Sequence, residues 1–268
     1  MGGELDTKSL VEIVFLLIKR VKEIEKEEKI HFDYYLLLSG QDYLTKPICY
    51  INAQLKKSYP KPFIDCTPYD KSNWIYYKFN SIFGIRNFQS WVSEKFPKKG
   101  IRHLFRLFFR GVGIMAEKIV QFFHKTDYDY IKKKGVTLYG GSAWWILPDI
   151  VIDFIMQERV NNADWFKCLL NSYTPEETFF QTLSMRSPIK ELIELNPIDW
   201  VAQNCKTWAY FSDIDKPFKG HPYIFTENEY NKLIKKGCWI ARKFDITISS
   251  KIFDLLDKYM ENAIKWSK

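Results

Sequence analysis

The chain has 268 residues, of which 46% are apolar and 17% aromatic, and it carries a net charge of +8. That composition excludes a disordered polymer and provides enough apolar surface for one large domain or at most two small ones. The positive balance calls for an anionic partner: nucleic acid, an acidic membrane surface or a phosphate-bearing small molecule.

From Ser9 to Ile24 the apolar residues Leu10, Ile13, Val14, Leu17, Ile18, Val21 and Ile24 recur at three- and four-residue steps, which predicts an amphipathic helix. The run Leu10 to Ile18 contains Glu12 and follows no basic segment, so it does not read as a signal peptide. No stretch reaches the roughly 18 uninterrupted apolar residues of a membrane span. Next, Phe32 to Leu38 is almost uniformly apolar and ends at Ser39-Gly40, as expected for a strand buried on both faces of a sheet. A helix feeding such a strand is an α/β signature. Ser39-Gly40-Gln41-Asp42-Tyr43 then lies just past the strand, where open α/β sheets bind ligands, which makes Gln41 and Asp42 candidate ligand-binding residues. The alternative is a turn in which Asp42 caps the segment from Lys46 to Lys57.

Residues 58 to 100 are aromatic and broken by prolines, with strand-like pieces around Trp74 to Phe79. From Ile101 to Lys125 basic residues alternate with Leu104, Phe105, Phe108, Met115 and Ile119 in a helical pattern. Such a segment suits an anionic membrane interface, and equally a helix with one side in ordinary core. Asp127-Tyr128-Asp129 and Asp213-Ile214-Asp215 both have the D-x-D form of a divalent-metal motif, a pairing also common by chance.

Val136 to Tyr139 is strand-like and leads into Gly140-Gly141-Ser142-Ala143-Trp144-Trp145. The glycines permit a tight turn, and the tryptophans form either an apolar platform for a sugar ring or sheet core. A helix is expected from Pro148-Asp149 to about Arg159. In Thr174-Pro175-Glu176-Glu177-Thr178-Phe179-Phe180, Thr174 is a candidate helix cap, with Pro175 at the first helical position and Glu177 three residues after the cap. Glu177 is thus either a capping-box partner of Thr174 or a carboxylate presented for chemistry. Thr207 to Phe211 is strand-like with Trp208 and Tyr210 on one face. Thr226-Glu227-Asn228-Glu229 is a second capping box, opening a helix that Gly237 ends. In Trp239 to Asp245 the adjacent cations Arg242 and Lys243 sit among apolar residues, which is costly unless an anion meets them. A last helix is expected from Lys251 to about Lys265.

The five cysteines are odd in number, with no C-x-x-C pair, and the four histidines lack metal-ligand spacing. Reduced thiols in a cytosolic setting are the default expectation. No recognisable nucleic-acid-binding module is present.

Leu36 to Tyr43, Tyr139 to Trp145, Thr174 to Phe180 and Ala241-Arg242-Lys243-Phe244-Asp245 together resemble, in order, the core-2/I-branching glycosyltransferase family, most closely its bacterial branch. The resemblance implies a single α/β domain of GT-A-like, Rossmann-related fold, with a mixed sheet flanked by helices. It further implies inverting transfer of a sugar, commonly N-acetylglucosamine or xylose, from UDP to an acceptor hydroxyl, without a metal ion or other cofactor. On this resemblance Glu177 corresponds to the general base, Lys243 with Arg242 to the donor diphosphate-binding cations, and Trp208 and Tyr210, together with Trp145, to the acceptor site. The implied partners are a UDP-sugar and a glycan or lipid-linked saccharide, reached in the cytoplasm or at the inner face of a membrane through residues 101 to 125, and no nucleic acid.

Two departures stand out. No arginine is present near His221-Pro222-Tyr223, so Lys219 is expected to substitute for a second phosphate ligand. Family members also carry a strand-bearing segment before the first helix, whereas Met1 lies close to that helix here, so the donor portion is expected to be incomplete. The competing readings are a metal-dependent D-x-D transferase and a non-catalytic carbohydrate- or membrane-binding remnant of the family.

Overall fold

The computed structural model describes residues 7–69, 92, 101–124, 128–161, 166, 169–170, 174–196, 204–209 and 222–266. In chain order the first elements are α1 (Thr7–Glu28), β1 (Tyr34–Leu36), β2 (Asp42–Leu44), α2 (Ile48–Ser58), β3 (Phe63–Ile64) and β4 (Thr67–Pro68). Then come α3 (Ile101–His124), α4 (Tyr128–Lys133), β5 (Tyr139–Gly140), β6 (Trp145–Pro148), α5 (Asp149–Asn161) and α6 (Phe179–Ser184). The last are β7 (Thr207–Ala209), α7 (Tyr230–Lys236), β8 (Ile240–Arg242) and α8 (Ser250–Trp266). This is an α/β chain with small sheets. It divides into two compact units, the first made of residues 1–31, 66–143 and 153–188, the second of 32–65, 144–152 and 189–268.

In the first unit α1 packs on the segment around α6. Its buried residues are Val11, Val14, Phe15 and Ile18, while Leu10, Leu16 and Leu17 are exposed. The buried stripe is therefore rotated from the expected one. The run Leu10–Ile18 is apolar nearly all round and offers more than one stripe, so packing partners decide. Here Phe15 decides: its ring meets Phe179 edge-on at 5.6 Å and lies 5.9 Å from Phe180. Phe166 contacts Phe179 from another side at 4.9 Å, giving an aromatic core whose members prefer such tilted and edge-on geometries.

In the second unit β6 is the middle strand of an antiparallel sheet of order β1-β6-β3. All four of its residues are buried, as a central strand requires. β1 is an edge strand of three residues whose flanking Phe32 and Leu38 are exposed, which corrects the expectation of a strand buried on both faces. Uniform apolarity over seven residues did not distinguish a short edge strand from a central one. A second sheet, of order β2-β8-β7, is mixed: β8 runs antiparallel to β2 and parallel to β7. It packs on α7 and α8 through Phe225, Leu233, Phe244, Ile252 and Leu256. The Thr226 capping box forms as expected, its hydroxyl accepting from the Asn228 N–H and Glu229 returning to the Thr226 N–H. Gly237 ends α7 with a φ of 71°, a left-handed conformation that glycine adopts without a Cβ penalty.

Val136 to Leu138 are not strand; pairing starts only at Tyr139, where β5 meets β4. Among the described residues no helix is long and apolar enough to cross a membrane.

Candidate functional site

In the second unit, the stretches Leu36 to Tyr43 and Ala241 to Asp245 come together. Asp42 stands directly opposite Arg242 in the β2–β8 register, and the Phe244 N–H donates to the Gln41 carbonyl at 2.9 Å. Asp42 Oδ2 accepts two hydrogen bonds, from the Ser39 N–H at 2.6 Å and from the indole N–H of Trp144 at 2.7 Å. The other oxygen, Oδ1, lies 3.6 Å from Arg242 Nε, an ion pair beyond hydrogen-bond length.

Trp144 also stacks on this cation. The Arg242 guanidinium carbon is 3.3 Å from the centre of the indole ring, a geometry in which the ring's negative face stabilises the charge by roughly 2 kcal/mol when water is excluded. The Asp42 side chain is 1% exposed and that of Arg242 11%. Burial pulls the Arg242 pKa below its ordinary value, and the Asp42 charge opposes that shift. Arg242 Nε and Nη1 are buried and have no hydrogen-bond partner among the described residues. Nε faces Asp42, so Nη1 is the donor left to meet an oxyanion. Lys243 follows immediately, its backbone held on both sides: the N–H donates to the Tyr223 carbonyl at 3.3 Å and the carbonyl accepts from the Phe225 N–H at 2.9 Å. Beside Asp42, a cavity of about 270 Å³ is lined by Leu38, Tyr43, Leu44 and Met260.

In the first unit, the stretches Tyr139 to Ala143 and Thr174 to Phe180 are likewise joined. The Gly141 N–H donates to the Glu177 carbonyl at 2.8 Å, and the Gln181 amide donates to the Ser142 carbonyl. Thr182 Oγ1 accepts from the Tyr139 N–H at 3.1 Å and lies 3.2 Å from the Tyr139 carbonyl. Pro175–Glu177 forms a separate 3-10 turn ahead of α6, and the Thr174 side chain makes no capping bond. The capping-box reading of Glu177 is thereby corrected: with ψ at 72°, Thr174 is outside the extended conformation from which an N-cap hydroxyl reaches the helix. Glu177 itself is half-buried.

Glu177 belongs to the first unit, whereas Gln41, Asp42, Trp145, Trp208, Arg242 and Lys243 belong to the second. Trp144 and Trp145 do not form a joint platform, since the Trp144 ring lies on Arg242 and Trp145 is buried. Trp145 is 2% exposed in the centre of a sheet and Trp208 8% exposed in the core beneath α7. Neither offers an open ring face, which corrects the expectation that they line an acceptor site. Their strand positions were legible, but which side of each strand faces the core was not. Tyr210, Asp127, the Asp213–Asp215 pair, Lys219 and Trp74 to Phe79 lie outside the described residues. No group of three or more metal-ligating side chains converges among the described residues.

Trp144, expected from the sequence as part of a sugar platform or of sheet core, instead holds the carboxylate with its N–H and the cation with its face. A signal for this did exist, since Arg242 among apolar residues called for a counter-charge. Asp42 is the carboxylate that meets it.

No family model matches the sequence, and no curated protein matches it significantly. The second unit offers a buried cation, paired to Asp42 through Nε and with Nη1 lacking a partner among the described residues, next to a lysine, and the first a carboxylate on a turn pinned through backbone bonds.

Proposed function

We propose that this chain is an inverting glycosyltransferase of GT-A-like fold that moves a sugar from UDP to a hydroxyl of a glycan or lipid-linked saccharide in the cytoplasm, without a metal ion. The observation that supports this most is Arg242, buried against Trp144, ion-paired to Asp42 through Nε, with Nη1 lacking a hydrogen-bond partner among the described residues, and followed directly by Lys243. Paired cations of this kind suit a diphosphate, whose negative charge grows as it leaves.

In the reaction, an acceptor oxygen attacks the anomeric carbon while the bond from that carbon to the diphosphate oxygen breaks. Glu177 takes the acceptor's proton, and the departing UDP carries away the bonding electron pair. Positive charge develops on the sugar ring and negative charge on the diphosphate, so stabilising the latter lowers the barrier. Arg242 and Lys243 supply that stabilisation, Arg242 as a planar donor fork and Lys243 as a mobile point charge.

The first experiment is UDP binding by calorimetry. The chain is expected to bind UDP, and Lys243→Ala to weaken it by about tenfold or more, the loss of one charge-assisted hydrogen bond. Absence of UDP binding by the unaltered chain would falsify the donor-site assignment. Binding without turnover on any acceptor would favour the non-catalytic reading, and abolition of turnover by a chelator the metal-dependent one.

A further inference from the structure

Helix α3 is amphipathic in an inverted sense. Arg106, 9% exposed, and Gly113 lie on its covered side, while Leu104, Phe108 and Met115 are 65%, 65% and 66% exposed. Phe105, Val112 and Ile119 are also exposed, and Leu107 and Ile114 extend the surface to its far edge. At about 100° per residue these positions span an arc of about 180°, half the circumference of the helix. A helix packed on its own core would turn this arc inward.

Charge identifies the occupant. Exposed Arg110 stands at the border of the arc, and exposed Lys118 lies within it with a stem long enough to lift its ammonium to a polar layer. From Lys98 to Lys125 the sequence holds Lys98, Lys99, Arg102, Arg106, Arg110, Lys118 and Lys125 against the single acid Glu117. A seam for a second copy of the chain would be a narrower stripe with charges of both signs at its edges. A half-circumference apolar arc with an exposed cation at one border and another within it, in a segment of strongly basic sequence, matches a helix lying in the plane of a lipid interface. α3 cannot instead cross the bilayer, because no described helix is apolar enough to do so.

We propose that α3 is a peripheral anchor that lies half-sunk in an anionic lipid surface, with Phe105 and Phe108 in the acyl boundary and Arg110 and Lys118 at the headgroups. The proposal stands on this helix alone, whatever the second unit binds.

The test is flotation of the full chain with vesicles of phosphatidylcholine, with and without phosphatidylglycerol. Binding to the anionic vesicles is expected to exceed binding to the neutral ones by about tenfold or more and to fall as salt screens the headgroups. Phe105→Ser with Phe108→Ser, and separately Arg110→Glu with Lys118→Glu, should each reduce binding by about tenfold or more, with circular dichroism unchanged because all four side chains are exposed. Failure to float with either vesicle overturns the proposal. So does equal binding to both, or binding that the variants leave intact. If the chain instead forms dimers that Phe105→Ser with Phe108→Ser dissolves, and ignores vesicles, the arc is a contact between copies and the proposal is wrong.

Discussion

The backbone N–H of Gly141 donates to the carbonyl of Glu177 at 2.8 Å. The turn bearing Glu177 is thus held through its main chain, and the Glu177 side chain takes no part in that link. Glu177→Gln, which keeps the side chain's shape and this backbone link while removing the charge, is expected to abolish sugar transfer and to spare UDP affinity. Calorimetry and a turnover assay on one preparation check both halves. Full turnover in the variant would remove Glu177 from the base role.

Asp42 and Arg242 are expected to behave as a coupled pair. Removing one partner of a buried ion pair leaves the other charge uncompensated, at a cost of about 3–5 kcal/mol. Asp42→Ala should be destabilised by about that amount in urea unfolding, since it also orphans the Trp144 and Ser39 N–H groups. In a double-mutant cycle, Asp42→Ala with Arg242→Met should cost less than the two single changes summed. Simple additivity would show that the 3.6 Å approach carries no energy.

Phe179 is completely buried and touched by the rings of Phe15, Phe166 and Phe180. Truncation to alanine removes those contacts and leaves a cavity, so Phe179→Ala is expected to lose about 3–5 kcal/mol. Leu17→Ala, at an exposed position of α1, should stay within about 0.5 kcal/mol. Chemical denaturation of the two variants tests the rotated stripe directly.

The sequence contains the same cap pattern twice, and the structure uses it once. Thr226, with ψ at 177°, forms its box, whereas Thr174, with ψ at 72°, does not. Thr226→Ala should therefore cost about 1 kcal/mol and Thr174→Ala close to nothing. Equal losses would contradict the difference in geometry.

Acid sensitivity has a local origin at Asp245. Its carboxylate accepts from the Thr247 hydroxyl and from the Thr247 and Ile248 N–H groups, and these bonds, the hydroxyl first, hold its pKa below the ordinary value. A depressed carboxylate pKa contributes stability that is fully present above the unfolded value, about 3.9, and is lost as pH falls through the folded one. The stability difference between the native chain and Asp245→Asn should be constant from about pH 7 to about pH 5 and narrow below about pH 4.

Helix existence was legible in part: α1, α3 and α8 fall where the apolar pattern placed them, and α5 where Pro148-Asp149 marked its start. The pairing of the four stretches that carry the resemblance was not legible, because it depends on contacts between residues as far apart in sequence as Asp42 and Arg242 or Gln41 and Phe244. Trp144 and Trp145 show the limit most clearly. Two identical neighbours have opposite fates, one stacked on Arg242 and the other in the core, because successive side chains in extended backbone point to opposite sides. Only the register decides which is which.

That register gives the Trp144–Pro148 segment an unusual mutational profile. β6 is bonded on both edges, with Ile146 opposite Leu36 on one side and Phe63 on the other. Exchange of one apolar side chain for another leaves this alignment intact. A single-residue insertion or deletion would instead move every later side chain to the opposite face and take Trp144 away from Asp42. The segment is therefore built to tolerate exchange of apolar side chains far better than a change of length.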